Sequence, residues 1–128
     1  VDCRHPLQLQ EEVPHVYHEM GHIQDYYKNM SAYNFGSDKW QSRGCKRSAL
    51  EEYFNSDSDY KYIKQHHPDF IDFINNKETQ YTAGKVSWYA QEGISEFIAE
   101  TYAKMIKGVK LDDDVLALYK KYNGPLLG

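Results

Sequence analysis

The sequence has little cysteine and no long apolar run. Cys3 and Cys45 are its only two cysteines, and neither lies in a C-x-x-C pair, so we do not expect cysteine to bind a metal. The sequence does not decide whether these cysteines form one disulfide in an oxidising compartment or remain two thiols in a reducing one. Because no apolar run approaches the roughly 20 residues that a membrane-spanning helix needs, we expect no membrane span.

The sequence also lacks a strong excess of charge of either sign. The chain has 15 basic and 19 acidic residues, and no block of like charge is longer than Asp112-Asp113-Asp114. A nucleic-acid partner and an anionic membrane surface are therefore not expected.

The sequence also lacks repeats, low-complexity segments, an initiator methionine and a signal peptide. We expect one domain over residues 1–128, which is a processed product, an excised domain or a fragment truncated at its N-terminus. Its oligomeric state stays open.

What the sequence does contain is the pattern H-E-x-x-H, beginning at His18. Residues four apart lie on the same face of a helix, so His18 and His22 can direct both imidazoles at one ion. Glu19 is poorly placed to be a third ligand but can reach a water on that metal. Zinc lowers the pKa of its bound water towards about 7, and a carboxylate can then move the proton to the leaving amine. The pattern predicts one zinc ion and Glu19 as the general base.

Helix signals predict a mainly α fold with little or no β-sheet. We predict helices over residues 13–29, 88–107 and 112–122, with shorter helices on either side of Pro68. Residues 80–88 are the only plausible extended piece, with a loop as the alternative. The predicted core positions are Ile63, Phe70, Ile71, Phe73, Ile74, Ile94, Phe97, Ile98, Thr101, Met105, Ile106, Val115, Leu116, Leu118 and Tyr119.

A catalytic zinc takes three protein ligands and one water, so a third ligand must come from outside the first helix. The predicted helix at 88–107 carries Glu92, Glu96 and Glu100 four apart, on a stripe that includes Tyr89. A solvated acidic face is the competing interpretation. The candidates for the third ligand are Glu96, Glu92, Glu51, Glu52 and a further histidine.

Two segments resemble the catalytic domain of the anthrax lethal factor family, which includes the clostridial Pro-Pro endopeptidases. They are His18-Glu19-Met20-Gly21-His22 with Asp25 after it, and Tyr89 seven residues before Glu96. The resemblance covers about residues 13–27 and 88–105. It implies a zincin-like domain in which the H-E-x-x-H helix packs on a second helix that carries the glutamate ligand.

The resemblance also implies a role for each matching residue. His18, His22 and Glu96 would bind zinc, Glu19 would be the base, and Tyr89 would donate a hydrogen bond to the developing oxyanion. Asp25 and Glu100 would hold the ligand imidazoles in the right tautomer. Only Glu96 has Tyr89 at the family's interval, which favours it over Glu92.

Members of that family usually carry strands before the motif helix, whose edge holds the substrate in an extended conformation. Here 17 residues precede His18, so either the sheet is lost or the chain is truncated. The heptapeptide from His18 to Gln24 also occurs in the angiotensin-converting enzyme family. There the third ligand follows about two dozen residues later, where this chain has Lys46, so that spacing fails.

The leading hypothesis is a zinc metalloendopeptidase that cleaves a peptide or protein. By analogy with the resembling family, it would be a secreted bacterial protein or toxin module. A catalytically silent zinc-binding or interaction domain is the alternative. An ordinary helical domain without metal is the third hypothesis.

Overall fold

A computed structural model describes residues 15–30, 43–48 and 57–127. Within these ranges the chain is mainly α-helical and contains no strand, which confirms the predicted fold class. None of the helices described there is long and apolar enough to cross a membrane. The helices are α1 His15–Met30, α2 Asp57–His66, α3 Pro68–Asn75, α4 Lys77–Val86, α5 Ile94–Ile106 and α6 Asp113–Lys121, with a 3-10 turn at Tyr89–Glu92.

Helices α2 to α6 enclose a hydrophobic core. The short helix α3 begins at Pro68, whose ring suits a first helical position, and it buries most of its apolar side chains. The rings of Phe73 and Phe97 lie 6.1 Å apart and join α3 to α5. Twelve of the fifteen predicted core positions are therefore buried as expected: Ile63, Phe70, Ile71, Phe73, Ile74, Ile94, Phe97, Ile98, Thr101, Val115, Leu118 and Tyr119.

The exceptions lie at the edge of this core. Met105 and Ile106 are only partly buried, and Leu116 is 41% exposed, so its predicted burial is wrong. Leu116 follows Val115 directly, and adjacent residues on a helix point about 100° apart, so one of the two faces outward.

Helix α1 packs along α5, as the sequence predicts. The two backbones come close together at Gly21, where an added Cβ would lie 2.7 Å from the Cα of Ala99. Glycine inside a helix costs roughly 0.5–1 kcal/mol relative to alanine. The close approach explains its presence, because any side chain at position 21 would push the two helices apart.

The predicted helix over 88–107 is interrupted at Gly93, which has extended dihedral angles (φ 175°, ψ 174°). Residues 89–92 form the 3-10 turn and α5 starts only at Ile94. A Cβ at Gly93 would lie 2.2 Å from the carbonyl oxygen of Cys45. The break therefore lets the segment 43–48 pass directly against the backbone at Gly93.

The predicted extended piece at 80–88 is also wrong, because Lys77–Val86 is helical. The side chain of Asn76 accepts a hydrogen bond from the Thr79 backbone N–H at 3.0 Å and caps this helix. Threonine, tyrosine and valine favour strands, but the N-cap and packing against α6 outweigh that preference.

Replacement of Gly21 by alanine tests the helix contact. We expect Gly21→Ala to lower the free energy of unfolding by about 1–3 kcal/mol, because overpacking outweighs the gain in helix propensity. Urea denaturation measures this change. The control is Gly44→Ala, since a Cβ at Gly44 meets nothing within 4 Å. Equal stability of Gly21→Ala and the parent would contradict the close contact.

Candidate metal centre

Three side chains from α1 and α5 converge on one point. Nε2 of His18 lies 3.0 Å from Nε2 of His22 and 3.0 Å from Oε1 of Glu96. Nε2 of His22 lies 3.1 Å from the same carboxylate oxygen. His18 and Glu96 are buried, whereas His22 is partly exposed. This group could hold a metal ion.

The chemistry of these atoms favours a cation between them. Nδ1 of His18 is hydrogen-bonded to Oε2 of Glu100, so a neutral His18 has its proton on Nδ1 and a lone pair on Nε2. That lone pair faces Glu96 and the second imidazole. Acceptor atoms at this separation repel one another unless a proton or a metal ion lies between them.

Glu100 itself is held in place by the turn before α5. Its Oε1 accepts a hydrogen bond from the Ser87 hydroxyl at 2.7 Å, and that hydroxyl accepts from the Ala90 backbone N–H at 3.1 Å. Glu100 is buried and so keeps the His18 ring in one orientation. Its position matches the role that the sequence resemblance implied, a carboxylate behind a ligand imidazole.

The pKa values of His18 and Glu96 reflect their burial and their hydrogen bonds. Burial lowers the pKa of His18, but hydrogen bonds with Glu100 and Glu96 outweigh burial and raise that pKa to about 10. Burial raises the pKa of Glu96, yet its hydrogen bonds with His18 and His22 hold that pKa well below its usual range. A proton therefore satisfies the group in the absence of metal, and a metal ion has to displace it.

Lys46 lies on the opposite side of Glu96 from the histidines. Its Nζ is 3.3 Å from Oε2 of Glu96 and donates a hydrogen bond to the Tyr89 hydroxyl at 3.1 Å. The ring of Tyr89 lies 5.8 Å from that of His18, measured between centroids. Tyr89 is thus near the metal centre although it lies in the 3-10 turn rather than on α5.

Glu19 follows His18 directly in the sequence and lies on the exposed part of α1. Its Oε2 is 3.1 Å from Nε2 of His15, and its side chain is 51% exposed. The ring of His15 stacks on that of His18 at a centroid distance of 5.9 Å. The carboxylate is therefore accessible to water, as a proton-transferring group needs to be.

Asp25 does not occupy the position that the sequence resemblance implied. Its carboxylate binds Arg43, with Nη2 at 2.6 Å from Oδ1, and accepts from Asn29 Nδ2 at 2.8 Å. Both members of the ion pair are buried. Among the described residues Asp25 thus anchors the segment 43–48 to α1 instead of contacting a ligand imidazole. The sequence alone did not single out Arg43, which is the stronger partner for a buried carboxylate.

Glu92 is not part of the metal group either. It lies in the 3-10 turn, where its Oε1 accepts a hydrogen bond from the Ser48 backbone N–H at 3.2 Å. Because the chain breaks at Gly93, Glu92 does not share a helical face with Glu96. The rivals Glu51 and Glu52 lie outside the described residues.

A cavity of about 210 Å³ adjoins His22. It lies where α1, the segment 43–48 and the start of α5 meet. Its lining residues are His22, Asp25, Tyr26, Arg43, Gly44 and Ser95.

Sequence reasoning did not identify Lys46 and Ser87 as site residues. No motif marks either of them, since Lys46 reaches the centre only through tertiary contact. Ser87 had one local signal, because serine before a helical turn is a common capping residue.

Searches against protein-family models, curated proteins and solved structures find no match for this chain.

Paired glutamate variants test which carboxylate binds metal. We expect excess zinc to raise the melting temperature of the parent, because a ligand at about 100 times its Kd stabilises the folded state by about 2.7 kcal/mol. Glu96→Gln should lose this stabilisation, and Glu92→Gln should keep it. Thermal denaturation with and without chelator measures both. A zinc response that survives Glu96→Gln would contradict the assignment.

Proposed function

We propose that this chain is a zinc-dependent endopeptidase with a centre like that of the lethal factor family. The observation that carries the proposal is the convergence of His18, His22 and Glu96, with Glu19 next to His18 in the sequence. Two imidazole nitrogens and one carboxylate oxygen are a ligand set of catalytic zinc sites. These three residues would hold the ion, since their donor atoms lie 3.0–3.1 Å from one another.

The neighbouring groups favour hydrolysis over other uses of this ligand set, which also suits non-haem iron. When bound, zinc would supply Lewis-acid activation of water and of the substrate carbonyl. Glu19 is an exposed carboxylate one residue from a ligand histidine, so it can take a proton from water and return it to the leaving amine. Tyr89, near His18, would donate a hydrogen bond to the oxyanion.

The proposed substrate is a peptide or protein, and the proposed setting is a secreted protein, both taken from the resemblance in the sequence. A silent zinc-binding domain is the alternative outcome, in which the metal only joins α1 to α5. Peptide cleavage distinguishes the peptidase from the silent domain, because both would bind zinc.

Glu19→Gln tests the proposed reaction. We expect this variant to retain stoichiometric zinc by elemental analysis and to cleave a diverse peptide library about 10²–10⁴-fold more slowly, because the proton-transferring group is lost. Glu78→Gln, an exposed change on α4, is the matched control and should cleave like the parent. Undiminished cleavage by Glu19→Gln would refute the mechanism, and a zinc-loaded parent that cleaves nothing would favour the silent domain.

The cavity beside His22 provides a test of substrate binding. We expect Gly44→Phe to reduce cleavage of peptides with large side chains next to the scissile bond, by about 10-fold or more in kcat/KM, because the new ring occupies part of the cavity. Gly44→Ala is the control and should cleave the same peptides at the parental rate. The cleavage profile of the peptide library measures the change. An identical profile for Gly44→Phe would show that the cavity receives no substrate side chain.

A further inference from the structure

The two oxygens of Glu96 have different partners. Oε1 faces both histidines, at 3.0 Å from His18 and 3.1 Å from His22. Oε2 faces the ammonium group of Lys46 at 3.3 Å. A carboxylate held in this way presents one oxygen to the metal, while the other remains bound to a protein group.

Lys46 also determines how the Tyr89 hydroxyl can act. An ammonium group has three donors and no acceptor, so the phenol oxygen must be the acceptor in the 3.1 Å hydrogen bond. This hydrogen bond holds the phenol oxygen close to Oε2 of Glu96, since the same ammonium group contacts both. Under the proposed function, the Tyr89 hydroxyl held in this way is the group that donates to the oxyanion of a substrate.

The segment that carries Lys46 is anchored on both sides. Arg43 binds the buried carboxylate of Asp25. Nη2 of Arg47 donates to the Ile74 carbonyl and to the Gln80 side chain, each at 2.9 Å. The backbone between these two arginines is thereby held beside the turn at residue 93, and the ammonium group is only partly exposed.

We propose that Lys46 is a positioning residue that keeps Glu96 a one-oxygen metal ligand and holds the Tyr89 hydroxyl in place. The part that concerns Glu96 requires only a bound metal. The part that concerns Tyr89 rests on the proposed peptidase function. Lys46 does not match any residue of the two segments that carry the resemblance to the lethal factor family, so the role belongs to this chain's own contacts.

The cobalt(II) spectrum tests the role of Lys46 towards Glu96, because the visible absorption of cobalt(II) is strong in four-coordinate sites and weaker in five-coordinate ones. Lys46→Met removes the charge and keeps an unbranched apolar chain of similar length. With Oε2 released, Glu96 can bind through both oxygens, and we expect the Co(II)-loaded variant to show a clearly weaker, five-coordinate spectrum. Its Co(II) affinity should not fall, because a neighbouring positive charge has been removed.

The control is Lys77→Met, an exposed change on α4 that should leave the spectrum parental. A parental spectrum in Lys46→Met would overturn the role towards Glu96. Loss of Co(II) binding in Lys46→Met would also overturn it, because Lys46 would then be needed for the centre to form.

Kinetics of the zinc-loaded protein report on the second part. We expect Lys46→Met to lower kcat about 10–100-fold in the parent, with a smaller effect on KM, because the oxyanion donor is misaligned. When Lys46→Met is added to Tyr89→Phe, it should lower kcat by a markedly smaller factor, since the effects of residues that act together are not additive. Equal losses in both backgrounds would overturn the role through Tyr89. The cobalt spectrum requires no turnover, so a failed peptidase proposal and a failed Lys46 proposal give different results.

Discussion

The contact between Gly21 and Ala99 sets the distance between α1 and α5, and the candidate metal centre depends on that distance. His18 and His22 lie on one helix and Glu96 on the other, so their donor atoms meet only if the backbones come close. The glycine makes this approach possible at some cost in helix propensity. The same residue lies within the H-E-x-x-H pattern, so one pentapeptide supplies both candidate histidine ligands and the packing surface.

A second constraint comes from the segment 43–48, which forms the other wall of the centre. The buried pair of Asp25 and Arg43 ties it to α1. A buried ion pair adds little net stability over a well-packed apolar pair, but loss of one partner leaves an uncompensated charge. Such a pair therefore specifies where the segment lies, and this placement brings Lys46 to Glu96 and Tyr89.

The balance of charge in the centre is consistent with a metal that competes with a proton. Two carboxylates, Glu96 and Glu100, flank His18 in a buried environment. Burial alone would disfavour every charge there, yet each carboxylate is stabilised by donors from the other elements. Ser87 holds Glu100, and Lys46 holds the outer oxygen of Glu96. The donors fix both carboxylates before any metal binds, which reduces the reorganisation that binding requires.

Sequence by itself determined the local features of this protein: the motif helix, the mainly α composition and most core positions. These follow from helical periodicity, which relates residues three and four apart. It also indicated Glu96 as a candidate, but through a helix over 88–107 that is broken at Gly93. Only the tertiary structure decided that Glu92 lies elsewhere, that Asp25 serves as an anchor, and that Lys46 belongs to the centre. Those contacts join residues at least 18 positions apart, and no local propensity encodes a distance between separate segments.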